Sequence, residues 1–286
     1  QPTLFETESP WFDLDKTRVK GKIFELIRDT NGNGRIDLDD LEWRYLEGDG
    51  DFRSKEVCSL RDQADIIVTN PPFSLFREFV EWIVSAGKQF LVIGSQGAIG
   101  YKEIFPLIKD DKVWLGNGFN AGNAFFKFNG DCSGFAGGVY NPATGLVKFR
   151  NCCWITNLEH GRRHEPMKLM SMKDNLRYGK HKDLKETGYL HYENFDAIDV
   201  PYVDSIPDDF DGIMGVPVTF LDKYCPEQFE IIGLGSGYLG QSIGIRGIPR
   251  EHKRMMRGHS AAGDLYMMVN GQPRVPYSRI LIRRKR

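Results

Sequence analysis

Long apolar runs are missing from the 286-residue chain. The longest, such as Phe90-Leu91-Val92-Ile93, have the length of a strand, far below the about 20 residues a bilayer-crossing helix needs. Cysteine is scarce: Cys58, Cys132, Cys152, Cys153 and Cys225 are odd in number, include an adjacent pair and show no CxxC spacing. That pattern excludes a disulfide framework and a zinc ribbon, and it reads as reduced thiols of a cytoplasmic protein. The opening Gln1-Pro-Thr-Leu-Phe-Glu-Thr has neither the basic start nor the apolar run of a secretory signal. Among His160, His164, His181 and His191, no pair combines helical i, i+4 spacing with the carboxylate of a zinc protease. No internal repeat is visible. A composition of 41% hydrophobic and 27% charged residues leaves a soluble globular chain with a sizeable core.

Excess charge is missing too, with a net value of −1, but the balance is uneven. From Arg246 to Arg286 eleven Lys or Arg face only Glu251 and Asp264, whereas the first 65 residues are acidic, Glu6, Glu8 and Asp13 among them. One end of the chain is thus suited either to phosphates or simply to solvent.

Periodicity suggests three regions. Residues 1–47 read as a helix-loop-helix: an amphipathic stretch at 20–28, a break at Asp29-Thr-Asn-Gly-Asn-Gly, and helical spacing from Leu38 to Glu47. Residues 48–116 read as an α/β core. The run Ala64-Asp-Ile-Ile-Val-Thr is a strand stopped by Asn70-Pro71-Pro72, Ser74 to Ala86 has a 3.6-residue apolar period, and Gln89 to Ile93 is a second strand. A helix over Tyr101 to Ile108 and a strand over Lys112 to Leu115 extend this to half of a doubly wound, Rossmann-like parallel sheet. Residues 117–286 hold Gly, Asn and Phe-rich loops, a basic polar stretch and the remaining strands.

The tetrapeptide Asn70-Pro71-Pro72-Phe73 at the end of a strand carries the chemistry. An amine conjugated to a ring is a poor nucleophile because its lone pair is delocalised. A side-chain carbonyl from Asn70 and the backbone carbonyl of Pro71 can accept its two hydrogens and turn the lone pair toward an electrophile. The prolines fix the carbonyl, and Phe73 offers a stacking face for a base taken out of its duplex. Read alone, the tetrapeptide is equally a strand-terminating turn.

Blocks across residues 46–286 resemble the EcoRI-type DNA adenine-N6 methyltransferases. They are Leu46-Glu-Gly-Asp-Gly-Asp-Phe-Arg-Ser, Asp65-Ile-Ile-Val-Thr-Asn-Pro-Pro-Phe-Ser-Leu-Phe, Tyr101-Lys-Glu-Ile-Phe-Pro-Leu-Ile-Lys, Val113-Trp-Leu-Gly, Asn194-Phe-Asp-Ala-Ile-Asp-Val, Gly215-Val-Pro-Val-Thr-Phe-Leu, Pro226-Glu-Gln-Phe-Glu and Arg279-Ile-Leu-Ile. The resemblance implies a site-specific enzyme of restriction-modification type that uses S-adenosylmethionine on double-stranded DNA. Residues of about 117–190 and 233–276 are expected to form its target-recognition lobe, and a monomer is expected. It makes Asn70, Pro71, Pro72 and Phe73 the catalytic loop and places Asp49, Asp51, Phe52 and Asp65 at the donor, with Phe76 and Phe79 toward its methionine end. The family's upstream acidic strand-loop has no counterpart in residues 1–45, so the chain is expected to start after, or to lack, the first donor-binding motif. The rival readings are a donor-less DNA-binding remnant and an NPPF enzyme acting on RNA adenine or protein glutamine.

A separate signal runs from Asp29 to Asp40, which matches the spacing of an EF-hand calcium loop. Asp29, Asn31, Asn33, the Arg35 carbonyl, Asp37 and Asp40 are the candidate oxygen ligands of a structural calcium ion, with an Asn/Gly-rich hairpin as the alternative. Arg162, Arg163, Lys168, Lys173, Arg177, Lys180 and Lys182 are candidates to track a DNA backbone, as are Arg279 and the Arg283–Arg286 tail. Trp114, Trp154 and Tyr238 are candidate stacking residues. Gly233-Leu-Gly-Ser-Gly lacks the following helix and acidic partner of a dinucleotide loop and is set aside.

Overall fold

The computed structural model describes residues 7, 9–10, 12–116, 124–127, 130, 134–135, 137–149, 151–256 and 260–285. Glu6, Glu8, Cys132, Arg286 and residues 117–123 of the expected recognition lobe lie outside the described residues. The chain forms two compact units, residues 1–67 with 78–89, and residues 68–77 with 90–286.

In the first unit, Asp13 caps α1 (Leu14–Val19) by accepting from the backbone N–H groups of Asp15 and Lys16. Two antiparallel strands follow, β1 (Lys22–Glu25) and β2 (Glu42–Tyr45), where helices are expected from the sequence. The cause is a cross-strand pair: Phe24 lies opposite Trp43 and stacks on it at 6.1 Å, and Trp43 meets Tyr45 edge-on at 5.2 Å. Such pairs stabilise a ribbon where a short apolar period cannot hold a helix. The Tyr45 hydroxyl ties this hairpin to α1, donating to the Asp13 carbonyl at 2.8 Å and accepting from the Asp13 N–H at 3.0 Å. Ser54 then caps α2 (Lys55–Gln63). Most of α3 (Phe76–Ser85) also belongs here; it buries Phe79, Val80 and Ile83 and ends at Gly87, whose φ of +64° suits a helix stop.

β3 (Ile66–Thr69), β4 (Gln89–Ser95), β5 (Trp114–Leu115) and β9 (Cys152–Thr156), most of whose residues belong to the second unit, form one sheet in the order β3-β4-β9-β5. The short strands β6 (Ala124–Lys127), β7 (Tyr140–Asn141) and β8 (Leu146–Phe149) form a separate antiparallel sheet between β5 and β9 in sequence. The half of a doubly wound parallel sheet expected over 64–116 thus differs in one respect: between β4 and β5 stands a strand from beyond that range. β9 returns after this insert and pairs antiparallel with both β4 and β5. It suits a central position because four of its five residues, Cys152, Cys153, Ile155 and Thr156, are buried. Gly94 makes the packing possible: a Cβ there would come within 2.7 Å of the Phe76 ring and 2.9 Å of Ile155.

A second four-stranded sheet runs β10 (Ile198–Asp199), β11 (Met214–Pro217), β15 (Arg279–Arg284), β12 (Phe229–Leu234). β10 and β11 are parallel, and β15 is antiparallel to β11 and β12. One face packs on Tyr192, Ala197, Ile245, Leu265, Met267 and Leu281. A hairpin of β13 (Met267–Val269) and β14 (Gln272–Arg274) precedes β15. The fold is thus mixed α/β with several sheets. No helix of the described residues is long and apolar enough to cross a membrane.

Candidate active site

Asn70 follows directly on the last residue of β3 and is exposed. Pro71 is buried, and Pro72, at φ −56°, opens a 3-10 turn over Phe73–Leu75 in which the Leu75 N–H donates to the Pro72 carbonyl at 2.9 Å. Proline ends the strand and sets the turn, since neither ring nitrogen can donate to a ladder. Among the described residues, neither the Asn70 carboxamide nor the Pro71 carbonyl has a hydrogen-bond partner. Phe73 holds its ring 49% exposed at the same turn. Two free acceptors beside an open aromatic face are what a planar amine requires.

The Gly48–Phe52 segment belongs to the first unit. Gly50 sits at φ +85°, and its backbone presses on Gly21, where a Cβ would meet the Gly50 Cα at 2.8 Å. Asp49 accepts from the Asp51 N–H at 3.0 Å, closing a turn. Asp51 accepts from Arg53 Nε at 2.9 Å and Nη2 at 2.6 Å, and these bonds hold its carboxyl down at about 2. Arg53 also reaches Glu78 at 3.2 Å. Phe52 packs edge-on against Phe79 at 5.1 Å and Trp82 at 5.5 Å, while Trp82 Nε1 donates to the Cys58 sulfur at 3.3 Å. Phe79 and Phe76 are both core residues, and Asp65 is exposed just ahead of β3.

Several other candidates have structural duties. In the Asp29–Asp40 loop the carboxylates face the chain's own backbone. Asp29 accepts from the N–H groups of Gly32, Asn33 and Gly34, and Asn33 Oδ1 accepts from the Arg35 N–H. Asp40, buried, accepts from the N–H groups of Thr30, Asn31 and Asp37 and from the Thr30 hydroxyl. Hydrogen bonds from backbone N–H groups, that of Asp37 first, lower its pKa. The loop is flanked by strands, and among the described residues no group of His, Cys, Asp and Glu is arranged to hold a metal. The calcium reading of Asp29, Asn31, Asn33, Arg35, Asp37 and Asp40 therefore has no support: the loop's own amides consume the oxygens.

Arg163 is likewise withdrawn from any DNA-tracking role. Its guanidinium lies 3.8 Å from the centre of the Trp114 ring and donates to Asp111 at 2.5 Å, with the residue only 6% exposed. Trp114 in turn donates to the Leu158 carbonyl at 3.0 Å. Arg279 is buried on β15 and paired with Asp199, while Arg283 meets Glu230 at 3.7 Å and Arg284 donates to the Asp208 carbonyl. The Gly233–Gly237 segment does lead into a helix, α4 (Gly237–Ser242). Its amide end is filled by Asp264, which accepts from the Gly237 N–H and the Ser236 hydroxyl at 3.0 Å each.

Residues 5–285 match the family model of the adenine-specific methyltransferase EcoRI. The chain belongs to this family. The type II methyltransferase M.EcoRI of Escherichia coli is 37% identical over 238 residues, 82% of this chain and 70% of that relative. M.MgeORF184P of Mycoplasma genitalium is 38% identical over 197 residues and M.MpnI of Mycoplasma pneumoniae 38% over 192; each match covers 65% of this chain and 57% of the relative. No solved structure matches. Asp199 and Arg279 each stand in a family-like block of the sequence, but their pairing with each other and with Tyr192 joins positions up to 87 residues apart and has no local signal.

Proposed function

We propose that this methyltransferase moves the methyl group of S-adenosylmethionine to N6 of adenine in double-stranded DNA, with Asn70 to Phe73 as the reacting loop. The observation that supports this most directly is the pair of unpartnered acceptors, Asn70 Oδ1 and the Pro71 carbonyl, beside the exposed Phe73 ring. Asn70 and Pro71 accept the two N6 hydrogens and favour a pyramidal nitrogen whose lone pair points at the donor. Phe73 stacks on the adenine after it leaves the duplex, and the prolines keep the acceptors in place without reorganisation.

The donor supplies an electrophilic sulfonium methyl when bound. Asp49, Asp51 and Phe52 fit its adenosine in kind: the carboxylates accept from hydroxyl or amine hydrogens, and the Phe52 ring offers an apolar contact. Asp65 is assigned to the same task. Residues of about 117–190 and 233–276 are the DNA-reading lobe in this reading, set on a Rossmann-like core, and the DNA substrate implies a cytoplasmic setting and a monomer on its site.

A second reading, a DNA-binding remnant without donor affinity, draws on one feature. The Asp51 carboxylate is already engaged by Arg53, and Phe52 is already packed by Phe79 and Trp82. Calorimetric titration with S-adenosylmethionine, with and without an adenine-containing duplex, separates the two. Binding followed by transfer of tritiated methyl to DNA supports the enzyme; duplex binding with steep salt dependence and no donor heat supports the remnant.

A further inference from the structure

The second unit encloses a cavity of about 810 Å³ that does not include the Asn70–Phe73 loop among its lining residues. Its walls come from the ends of strands in both four-stranded sheets. Gln96 and Gly97 follow the last residue of β4; Asp199, Pro217 and Leu234 are the last residues of β10, β11 and β12. β10 and β11 are parallel, and β12 shares their direction because both β11 and β12 are antiparallel to β15. In α/β proteins the carboxyl ends of parallel strands are where ligands collect. Here two sheets direct those ends into one space.

The lining has a definite chemistry. Most of it is apolar, including Ile99, Leu190, Val218 and Met267. Of its two acids, Asp199 is paired with Arg279, whereas Asp183 keeps its negative charge and accepts from the Tyr202 hydroxyl at 2.6 Å, which lowers its pKa. Among the described lining residues, Arg274 is the cation with no ion-pair partner, and it is exposed; Asp183 is the acid with none. Arg274 ends β14, against which the basic helix α5 (Arg250–Met255) packs. At the mouth stands Tyr277, 92% exposed, in the Pro276-Tyr277-Ser278 turn. That turn is held from below, since the Tyr277 carbonyl accepts from Arg279 Nη1 at 3.4 Å. An open aromatic ring, an apolar interior, an exposed guanidinium that can meet a phosphate and a carboxylate that can accept from a base amine suit a planar heteroaromatic group carrying a phosphate.

We propose that this cavity is a second nucleotide site, taking a nucleotide of the DNA substrate other than the adenine being methylated, with Tyr277 stacking on its base and Arg274 facing its phosphate. This rests on the DNA reading of the protein but not on the role of Asn70. The extra base contact makes Tyr277 a determinant of DNA affinity and of sequence discrimination, and leaves the methyl donor untouched.

The test uses the full chain and unmethylated double-stranded plasmid DNA in which thymine is replaced by 5-iodouracil. Irradiation is expected to cross-link the peptide containing Tyr277. Tyr277→Ala is expected to lose the cross-link and weaken DNA binding about tenfold, within the range of base–aromatic stacking, while Tyr277→Phe keeps near wild-type affinity. Tyr277 is almost fully exposed, so neither change threatens folding. Cross-links confined to other segments, together with unchanged affinity in Tyr277→Ala, would overturn the proposal. Methyl transfer by the wild-type chain is read from the same samples. Its absence with the Tyr277 cross-link present defeats the catalytic reading alone; its presence with neither the cross-link nor an affinity loss in Tyr277→Ala defeats this one alone.

Discussion

Arg279 Nε donates to Asp199 Oδ1 at 2.8 Å, and the Tyr192 hydroxyl donates to the same oxygen at 2.5 Å. The pair joins β15 to β10 across the intervening β11. On β11 the residue paired with Asp199 is Gly215, and a Cβ there would collide with the Tyr192 hydroxyl. Burial, and then the Asp199 charge, push the Tyr192 phenol well above its ordinary pKa, so it remains a donor. Arg279→Met is expected to leave Asp199 buried without its counter-charge and to destabilise the fold by about 3–5 kcal/mol, the usual cost of breaking a buried pair from one side. Thermal and denaturant unfolding check this. DNA binding by the folded fraction should keep its salt slope, because this guanidinium never faces phosphates.

Asn70→Ala is expected to lower methyl transfer by about 100-fold or more, the scale seen when one preorganised polar contact to a transition state is removed. The side chain is exposed and has no hydrogen-bond partner among the described residues. Stability should therefore change by no more than about 0.5 kcal/mol. Single-turnover assays with tritiated donor, paired with melting curves, check both halves; full turnover in the variant removes Asn70 from the reacting loop.

Gly94→Ala tests the docking of Phe76 on the first sheet. The added methyl would lie 2.7 Å from the ring and 2.9 Å from Ile155, both in a packed interior. The expected loss is about 1–3 kcal/mol from overpacking. A midpoint equal to wild type in urea unfolding would show that the helix and sheet separate at no cost.

Stability should also depend on pH through His164. It bridges Glu227 at 2.7 Å and Glu159 at 2.9 Å, and these bonds, Glu227 first, raise its pKa above the ordinary 6.5. A raised value means that the folded state favours the protonated ring, so the bridge stabilises below pH 6.5 and fades as pH climbs through the raised value. Glu227, held down at about 2 by the Cys225 thiol and then by His164, stays ionised throughout that window. The wild-type melting temperature should thus fall more steeply as pH rises above about 6.5 than that of His164→Gln. Parallel curves would exclude the bridge as a source of stability.

The Asp29–Asp40 loop gives a last expectation. Its midpoint of unfolding should be the same in millimolar calcium and in chelator, and Asp40→Ala should lower it in both, because the carboxylate serves the amides of Thr30, Asn31 and Asp37. A calcium-dependent rise that vanishes in Asp40→Ala would restore the metal.

Strand–turn–helix around the reacting loop was legible because its causes are local. β-branched residues before Asn70, two prolines that cannot continue a ladder, and a 3.6-residue apolar period from Phe76 all act within one turn or one strand. The hairpin at 22–45 was not legible in the same way. Its apolar spacing fits a short helix, and only the meeting of Phe24 with Trp43, nineteen positions away in the chain, selects a ribbon. The EF-hand-like spacing in the same segment describes the oxygens correctly and says nothing of what they bind.

By itself, the sequence determined the family, the position of the tetrapeptide at a strand end and the residue types available for a methyl transfer, all of which depend on short segments read in order. Tertiary structure alone decided that β9 lies between β4 and β5, that Arg163 and Arg279 are buried ion-pair partners instead of DNA contacts, and that two sheets turn their strand ends into one cavity beneath Tyr277. Each of these brings together residues far apart in the chain, and a charged side chain's fate is set by whichever partner the folded chain carries to it.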